Sequence, residues 1–296
     1  MVRLFRPPIL EDGVVTVADS GTGQGSVISP LLGNVYLHYV FDLWAERWRR
    51  QEARGDMIVV RYADDLVAGF EHEGDARRLL DAMRERLEAF SLSVHPDKTR
   101  LIEFGRHAAA DRKKRGAGRP ETFAFLGFTF ICGKSRRRAF QLQRKTRRDR
   151  MRAKLQEIKA ELRQRMHRTI SDQGRWLRQV VTGHFAYYAI PTNSRALSAF
   201  RHYVADLWRR TLRRRSQKDG FTWDRMTKLG NDWLPPPRIR HPWPDQRFCP
   251  EVLPTPPSII QLGCVVRLMF VTRSTVTDFA TSLSATPTSP RPTPTR

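Results

Sequence analysis

The stretch Ile58-Val59-Val60-Arg61-Tyr62-Ala63-Asp64-Asp65-Leu66-Val67-Ala68 decides the fold. Apolar, largely β-branched runs flank a short polar centre, which predicts two strands joined by a tight turn with Asp64 and Asp65 at its tip. Adjacent residues on a regular strand face opposite sides, so both carboxylates can approach one point only where the backbone turns. An isolated Asp-Asp pair is also ordinary turn chemistry, because Asp hydrogen-bonds its own backbone. A shared divalent cation would instead relieve the mutual repulsion and keep both groups ionised. Phosphoryl transfer assisted by two cations needs such converging carboxylates.

Working outward, Val14-Val15-Thr16-Val17 reads as a strand. Gly21, Gly23 and Gly25 then bracket Thr22 and Gln24, and Ser29-Pro30 opens a helix, Ser29 as N-cap and Pro30 in the first turn. That helix is predicted to run to about Gln51, with Leu32, Val35, Tyr36, Tyr39, Val40, Leu43 and Trp44 at helical spacing. A second helix from about Asp75 to Phe90 aligns Leu79, Leu80, Met83, Leu87 and Phe90, and a short strand, Leu92-Ser93-Val94, follows. Thr122 to Ile131 is a further strand candidate. This order predicts an α+β fold, an antiparallel sheet layered on helices. Beyond Phe140 the pattern is helical, over about Lys145 to His167, Gly174 to Ile190 and Arg195 to Arg215. The expected domains are residues 1–135, residues 136–248 and a tail, 249–296, whose Pro, Ser and Thr bias predicts disorder.

The 296 residues carry a formal charge of +23, which makes an extended polyanion the first partner class and an anionic membrane surface the second. From Lys134 to Arg168 nearly every turn has Lys or Arg against only Asp149, Glu157 and Glu161. Such a run is ordinarily a solvated face, so its meaning depends on the neighbouring motifs. The 3 cysteines are too widely spaced for a disulfide framework or a Cys-x-x-Cys zinc site, and a reducing, cytoplasmic setting is expected. No signal peptide is read at the N-terminus, and the apolar run from Ile259 to Val271 is interrupted by Arg267, so no membrane anchor is predicted.

Four segments in order, Gly23-Gln24-Gly25-Ser26-Val27-Ile28-Ser29-Pro30-Leu31-Leu32, Tyr62-Ala63-Asp64-Asp65, His95-Pro96-Asp97-Lys98-Thr99 and Phe125-Leu126-Gly127-Phe128, resemble consecutive palm motifs of group II intron reverse transcriptases. Gly183-His184-Phe185-Ala186-Tyr187-Tyr188 and the run from Trp233 to Pro242 resemble the thumb and maturase region of the same family, so the likeness covers roughly residues 20–248. The resemblance implies a partial right-hand polymerase palm followed by a helical thumb/maturase domain. It implies that Asp64 and Asp65 bind magnesium in a two-ion site and that Tyr62 and Ala63 line the nucleotide site. Gln24, Gly25, Ser29 and Pro30 would lie by the incoming nucleotide and template. Lys98 would neutralise triphosphate charge or act as general acid, and Phe125, Leu126, Gly127 and Phe128 would press on the primer end. A surface role for Lys98 and a core role for the Phe-Leu-Gly-Phe segment are the plain alternatives.

The basic run then reads as a surface for RNA phosphates, carried by Arg144, Lys145, Arg147, Arg148 and Arg152, while Trp176, Phe185, Tyr187 and Tyr188 pack in the core or stack on bases. The implied partners are intron RNA, a DNA primer or target and deoxynucleoside triphosphates; a homodimer or a complementing chain is left open. The family carries a further metal-binding Asp upstream of the Gly-Gln-Gly loop, and neither Asp12 nor Asp19 is spaced to replace it. Gly23 also stands where the family often has proline. A truncated, impaired RNA-directed DNA polymerase of a group II intron is therefore the expectation, and a non-catalytic, maturase-type RNA-binding splicing factor the alternative.

Overall fold

In a computed structural model of the chain, the structure describes residues 8–11, 14–17, 28–215, 221–243 and 264–272. The chain divides into two compact units, residues 1–107 with 257–296, and residues 108–256. The expected α+β class is found, with antiparallel sheets and helices in the chain. The units part at His107/Ala108 rather than near residue 135, because the strands that follow residue 122 pair among themselves.

In the first unit, β1 (Pro8–Glu11) and β2 (Val14–Val17) form a hairpin. Helix α1 (Ser29–Leu37) passes into α2 (Leu43–Gln51) through a π-helical turn, His38–Asp42. Ile28 rather than Ser29 holds the N-cap position, with Pro30 in the first turn. The π turn interrupts the single helix expected there and changes the face that is buried. Leu37, Val40, Phe41, Ala45 and Trp48 enter the core, whereas Val35, Tyr36, Tyr39 and Leu43 are exposed.

Strands β3 (Met57–Tyr62) and β4 (Asp65–Phe70) pair from Met57↔Phe70 to Tyr62↔Asp65. Helix α3 (Glu73–Ala89) lays Ala76, Leu79, Met83 and Leu87 on Leu66, Ala68 and Phe70, an i, i+3, i+4 stripe against alternate strand positions. Phe90, expected on that stripe, follows the helix and is exposed. Asp75 of α3 is buried and accepts the amides of Arg54 (2.8 Å) and Gly55 (3.2 Å) and the guanidinium of Arg78 (2.8 Å). Burial pushes this carboxyl up, but the hydrogen bonds from Arg78 and the two amides outweigh it and hold Asp75 below the usual carboxylate range.

Strands β5 (Leu92–Val94) and β6 (Arg100–Glu103) are separated by a 3₁₀ turn, Pro96–Lys98. They reach the sheet through a remote strand, β10 (Cys264–Thr272), which pairs with β4 on one edge and with β6 and β5 on the other. The predicted tail is thus corrected for these nine positions. Cys264-Val265-Val266-Arg267-Leu268-Met269-Phe270-Val271 has the apolar, β-branched composition of a central strand; the rest of 249–296 lies outside the described residues.

The second unit opens with α4 (Ala108–Lys114) and a sheet of β7 (Phe123–Phe125), β8 (Phe128–Lys134) and β9 (Phe140–Thr146). Four helices follow: α5 (Arg148–Gln164), α6 (Ile170–Tyr188), α7 (Ser194–Arg213) and α8 (Trp223–Trp233). Thr169 and Thr222 cap α6 and α8 by accepting the amides of Asp172 and Arg225. Their apolar stripes, Leu177, Val181 and Phe185 on α6 and Leu197, Phe200, Val204 and Trp208 on α7, close on Ile158 and Leu162 of α5.

Candidate active site

The β3–β4 connection is a two-residue turn, Ala63-Asp64, between the paired residues Tyr62 and Asp65. Ala63 takes the left-handed conformation, φ 52°, that a tight hairpin demands and that a residue with a Cβ adopts at a cost. Directly paired residues share a sheet face. Asp65 therefore lies on the face of Tyr62, which is 65% exposed, while Asp64 stands exposed on the turn itself. The turn thus carries two adjacent carboxylates, Asp64 exposed and Asp65 half-buried with its Oδ1 shielded from solvent.

Behind the turn, Arg61 lies on the opposite face of β3, in register with buried Leu66. Its Nε and Nη2 donate to the two carboxylate oxygens of Asp42 at 2.7 and 2.6 Å. Its Nη1 donates to Asn34 Oδ1 (2.9 Å) and to the Ala63 carbonyl (3.0 Å). Asn34 Nδ2 in turn donates to the Pro30 carbonyl at 3.0 Å. One network thus joins the start of α1, the π turn and the acidic hairpin. The Asp42 hydrogen bonds raise the Arg61 guanidinium further above its ordinary range, against the pull of burial. Sequence reading missed Arg61, Asn34 and Asp42. The available signal was an arginine at an inward strand position, alternating with Met57 and Val59, where a buried charge requires a partner. A nearby cleft of about 330 Å³, lined by Asp42, Ala45, Glu46, Arg49, Val59 and Arg61, is walled by charges already paired with one another.

Of the other expected residues, Gln24 and Gly25 lie outside the described residues, and of Ser29 only the backbone is described. Lys98 ends the 3₁₀ turn and is exposed. Two carboxylates of hard oxygen donors suit a divalent cation of the magnesium class, which commonly takes one or two protein carboxylates and completes its shell with water and phosphate. Among the described residues no group of three or more His, Cys, Asp or Glu could hold a metal ion.

In the second unit, Phe125-Leu126-Gly127-Phe128 is a hairpin rather than the strand predicted. Phe125 pairs with Phe128, and Leu126 (φ 47°) and Gly127 (φ 75°) form the turn. Positive φ at both central residues matches the twist of the flanking strands. The Tyr187 hydroxyl donates to the Leu126 carbonyl at 2.9 Å, and the Arg147 amide donates to the Gly127 carbonyl at 3.0 Å. Phe128 stacks on Tyr187 and meets Tyr188 edge-on, with ring centroids 5.6 and 5.2 Å apart. A Cβ on Gly127 would lie 2.9 Å from the Tyr188 hydroxyl, so glycine answers both the backbone and the close approach.

The run after α8 docks on the same helix end. The amides of Arg240 and His241 donate to the Ala189 carbonyl at 2.9 and 3.1 Å. His241 Nε2 donates to the Ala186 carbonyl at 2.7 Å. Three separate motifs, at 125–128, 183–188 and 233–242, therefore converge on the C-terminal end of α6. Of the aromatic residues left open between core and stacking, Phe185 is buried in the core and Tyr187 is exposed.

His184 stacks on Phe200 with centroids 3.7 Å apart, and burial followed by the charge of Lys154 lowers it from the ordinary 6.5 to about 4. The unfolded chain takes up this proton near pH 6.5 and the folded chain does so only near 4. Its contribution is complete above pH 6.5 and lost as pH falls toward 4, on the order of 1 kcal/mol after solvent screening. Chemical denaturation across that range, compared with His184→Phe, checks this: the variant should lose part of the slope.

The basic positions divide between two elements. Arg144 and Lys145 belong to β9, Arg147 precedes α5 and is paired with Asp149 at 2.5 Å, and Arg148 and Arg152 are exposed one turn apart on α5. The β9 backbone is held at Arg144 by Thr192 Oγ1, which accepts its amide at 2.9 Å, and at Thr146 by Asn193 Oδ1, 3.0 Å. No helix among the described residues is long and apolar enough to cross a membrane.

No curated protein matches the chain. Residues 11–130 match the family described as reverse transcriptase (RNA-dependent DNA polymerase), a span that contains the β3–β4 turn and the Phe125–Phe128 hairpin. Residues 11–130 therefore form a reverse transcriptase domain, and that domain indicates RNA-directed DNA polymerase, that is nucleotidyltransferase, chemistry for this stretch of the chain.

Proposed function

We propose that the chain is a group II intron-type reverse transcriptase whose polymerase centre is the Tyr62-Ala63-Asp64-Asp65 turn. The observation that carries the reading is the turn itself, which sets Asp64 and Asp65 beside exposed Tyr62 at the end of a hairpin. Asp64 and Asp65 hold magnesium, which when bound supplies charge neutralisation at the transferring phosphate. Asp64 is the more direct ligand, and Tyr62 and Ala63 line the nucleotide site. Gln24, Gly25, Ser29 and Pro30 flank nucleotide and template. Lys98 offsets triphosphate charge, and the Phe125–Phe128 hairpin contacts the primer end.

The second unit holds intron RNA through phosphates, with Arg144, Lys145, Arg147, Arg148 and Arg152 as the contacts. Its exposed cations on α5 also favour the second reading, an RNA-binding splicing factor that does no polymerisation. Five phosphate contacts give a slope of about −3 to −4 in log affinity against log salt. Filter binding of an intron RNA and an unrelated RNA of equal length tests the intron assignment. Preference for the intron by about a hundredfold or more is expected, and equal affinity contradicts it. A salt slope near zero would count against phosphate contact altogether.

A further inference from the structure

We propose that Arg61 is a positioning residue: by bridging Asp42 and Asn34 to the Ala63 carbonyl, it sets the orientation in which the turn presents Asp64 and Asp65. The inference rests on the metal-holding role proposed for those carboxylates and adds the device that aims them.

The geometry is specific to a guanidinium. Two donors form a bidentate pair with Asp42, and the third nitrogen forks between a side-chain amide and the main-chain oxygen of the turn. A planar fork can serve three acceptors in fixed directions, which the point charge of an ammonium cannot do. The Arg61 side chain is 12% exposed, so these bonds lie largely shielded from water.

The π turn is what brings the acceptor into range. A π turn carries one residue more than an α turn, which rotates the residues beyond it about the helix axis. Asp42 is its last residue and both of its oxygens meet Arg61, while His38 Nδ1, one turn earlier, lies 3.4 Å from Oδ2.

The effect falls on the peptide between Ala63 and Asp64. Because that unit is planar and trans, fixing its carbonyl on Arg61 turns the Asp64 N–H to the opposite side, away from the helices. Ala63 has no side chain able to bond its own backbone in the left-handed region, so the Arg61 bond to its carbonyl supplies the local restraint. The conformation of the acidic turn is thereby tied to the start of α1 through Asn34 and Pro30.

Hydrogen exchange and cation binding on the full chain test this together. Arg61→Lys keeps the charge and loses the fork; it should accelerate exchange in a peptide spanning Tyr62 to Leu66 by about tenfold or more, with α3 unchanged. Asp42→Asn should do the same, and the double variant should add little, since both remove one linkage. Terbium luminescence sensitised by Tyr62 reads the carboxylates: Asp64→Asn should abolish it, and Arg61→Lys should weaken the apparent affinity about fivefold or more at a temperature well below the unfolding midpoint of either chain. Unaltered exchange in Arg61→Lys overturns the proposal. Faster exchange with unaltered terbium affinity overturns it too, because the restraint would then not serve the carboxylates. A wild-type chain without terbium signal refutes the metal-holding turn itself, and the purpose assigned to Arg61 with it.

Discussion

Trp208→Ala should unfold the helical unit under conditions in which the wild-type chain is folded. Trp208 is fully buried among α5, α6 and α7, and its indole N–H donates to Gln173 Oε1 at 2.7 Å. Gln173 is itself buried, and its amide nitrogen donates to the Arg165 carbonyl at 2.7 Å, which ties the α5–α6 connection to the core. Truncation removes the ring at about 3–5 kcal/mol and leaves a buried amide oxygen without its donor at about 1–3 kcal/mol more. Domain stabilities run about 5–15 kcal/mol, so little would be left. Trp208→Phe keeps most of the ring and should cost only the smaller part. Urea denaturation followed by circular dichroism separates the two; a loss under about 1 kcal/mol for Trp208→Ala would contradict the packing described.

Asp64→Asn should have the opposite profile, leaving stability alone and removing the chemistry. Asp64 is exposed, and exposed substitutions of similar shape usually stay within about 0.5 kcal/mol. The amide keeps the volume but gives up the charge that a hard divalent cation requires. Losing one preorganised electrostatic contact at a reacting phosphate is expected to lower primer extension on the order of a thousandfold. RNA affinity, which we assign to the other unit, should not change. Extension rates and filter binding measured on one preparation distinguish this from a misfolded variant, which would lose both.

Much of this was legible in the sequence for physical reasons that can be named. The β3–β4 hairpin was readable because β-branched runs flank a polar pair, and α3, α5, α6 and α7 because their apolar residues repeat at helical spacing. The π turn was not. Inserting a residue into a helix changes which residues face the core without changing composition, so Val35, Tyr36, Tyr39 and Leu43 were expected inside and are outside. The Phe125–Phe128 segment read as one strand because Leu126 is an unusual residue for positive φ, whereas Gly127 alone would fit a turn or a bulge. Strand β10 was hidden by the Pro, Ser and Thr around it, and its pairing with β4 joins residues about two-thirds of the chain apart, beyond what local pattern can reach. Arg61 was visible as a letter but not as a clamp, since its side-chain acceptors lie 19 and 27 residues upstream.

The central claim is that the acidic turn is a polymerisation centre. The most direct test is incorporation of labelled deoxynucleotides by the full chain on a primed RNA template in magnesium, wild type against Asp64→Asn. Template-directed extension that disappears in the variant is the predicted result. Extension that proceeds equally well without the Asp64 carboxylate, or a wild-type chain that binds the primed template and adds nothing, would contradict it.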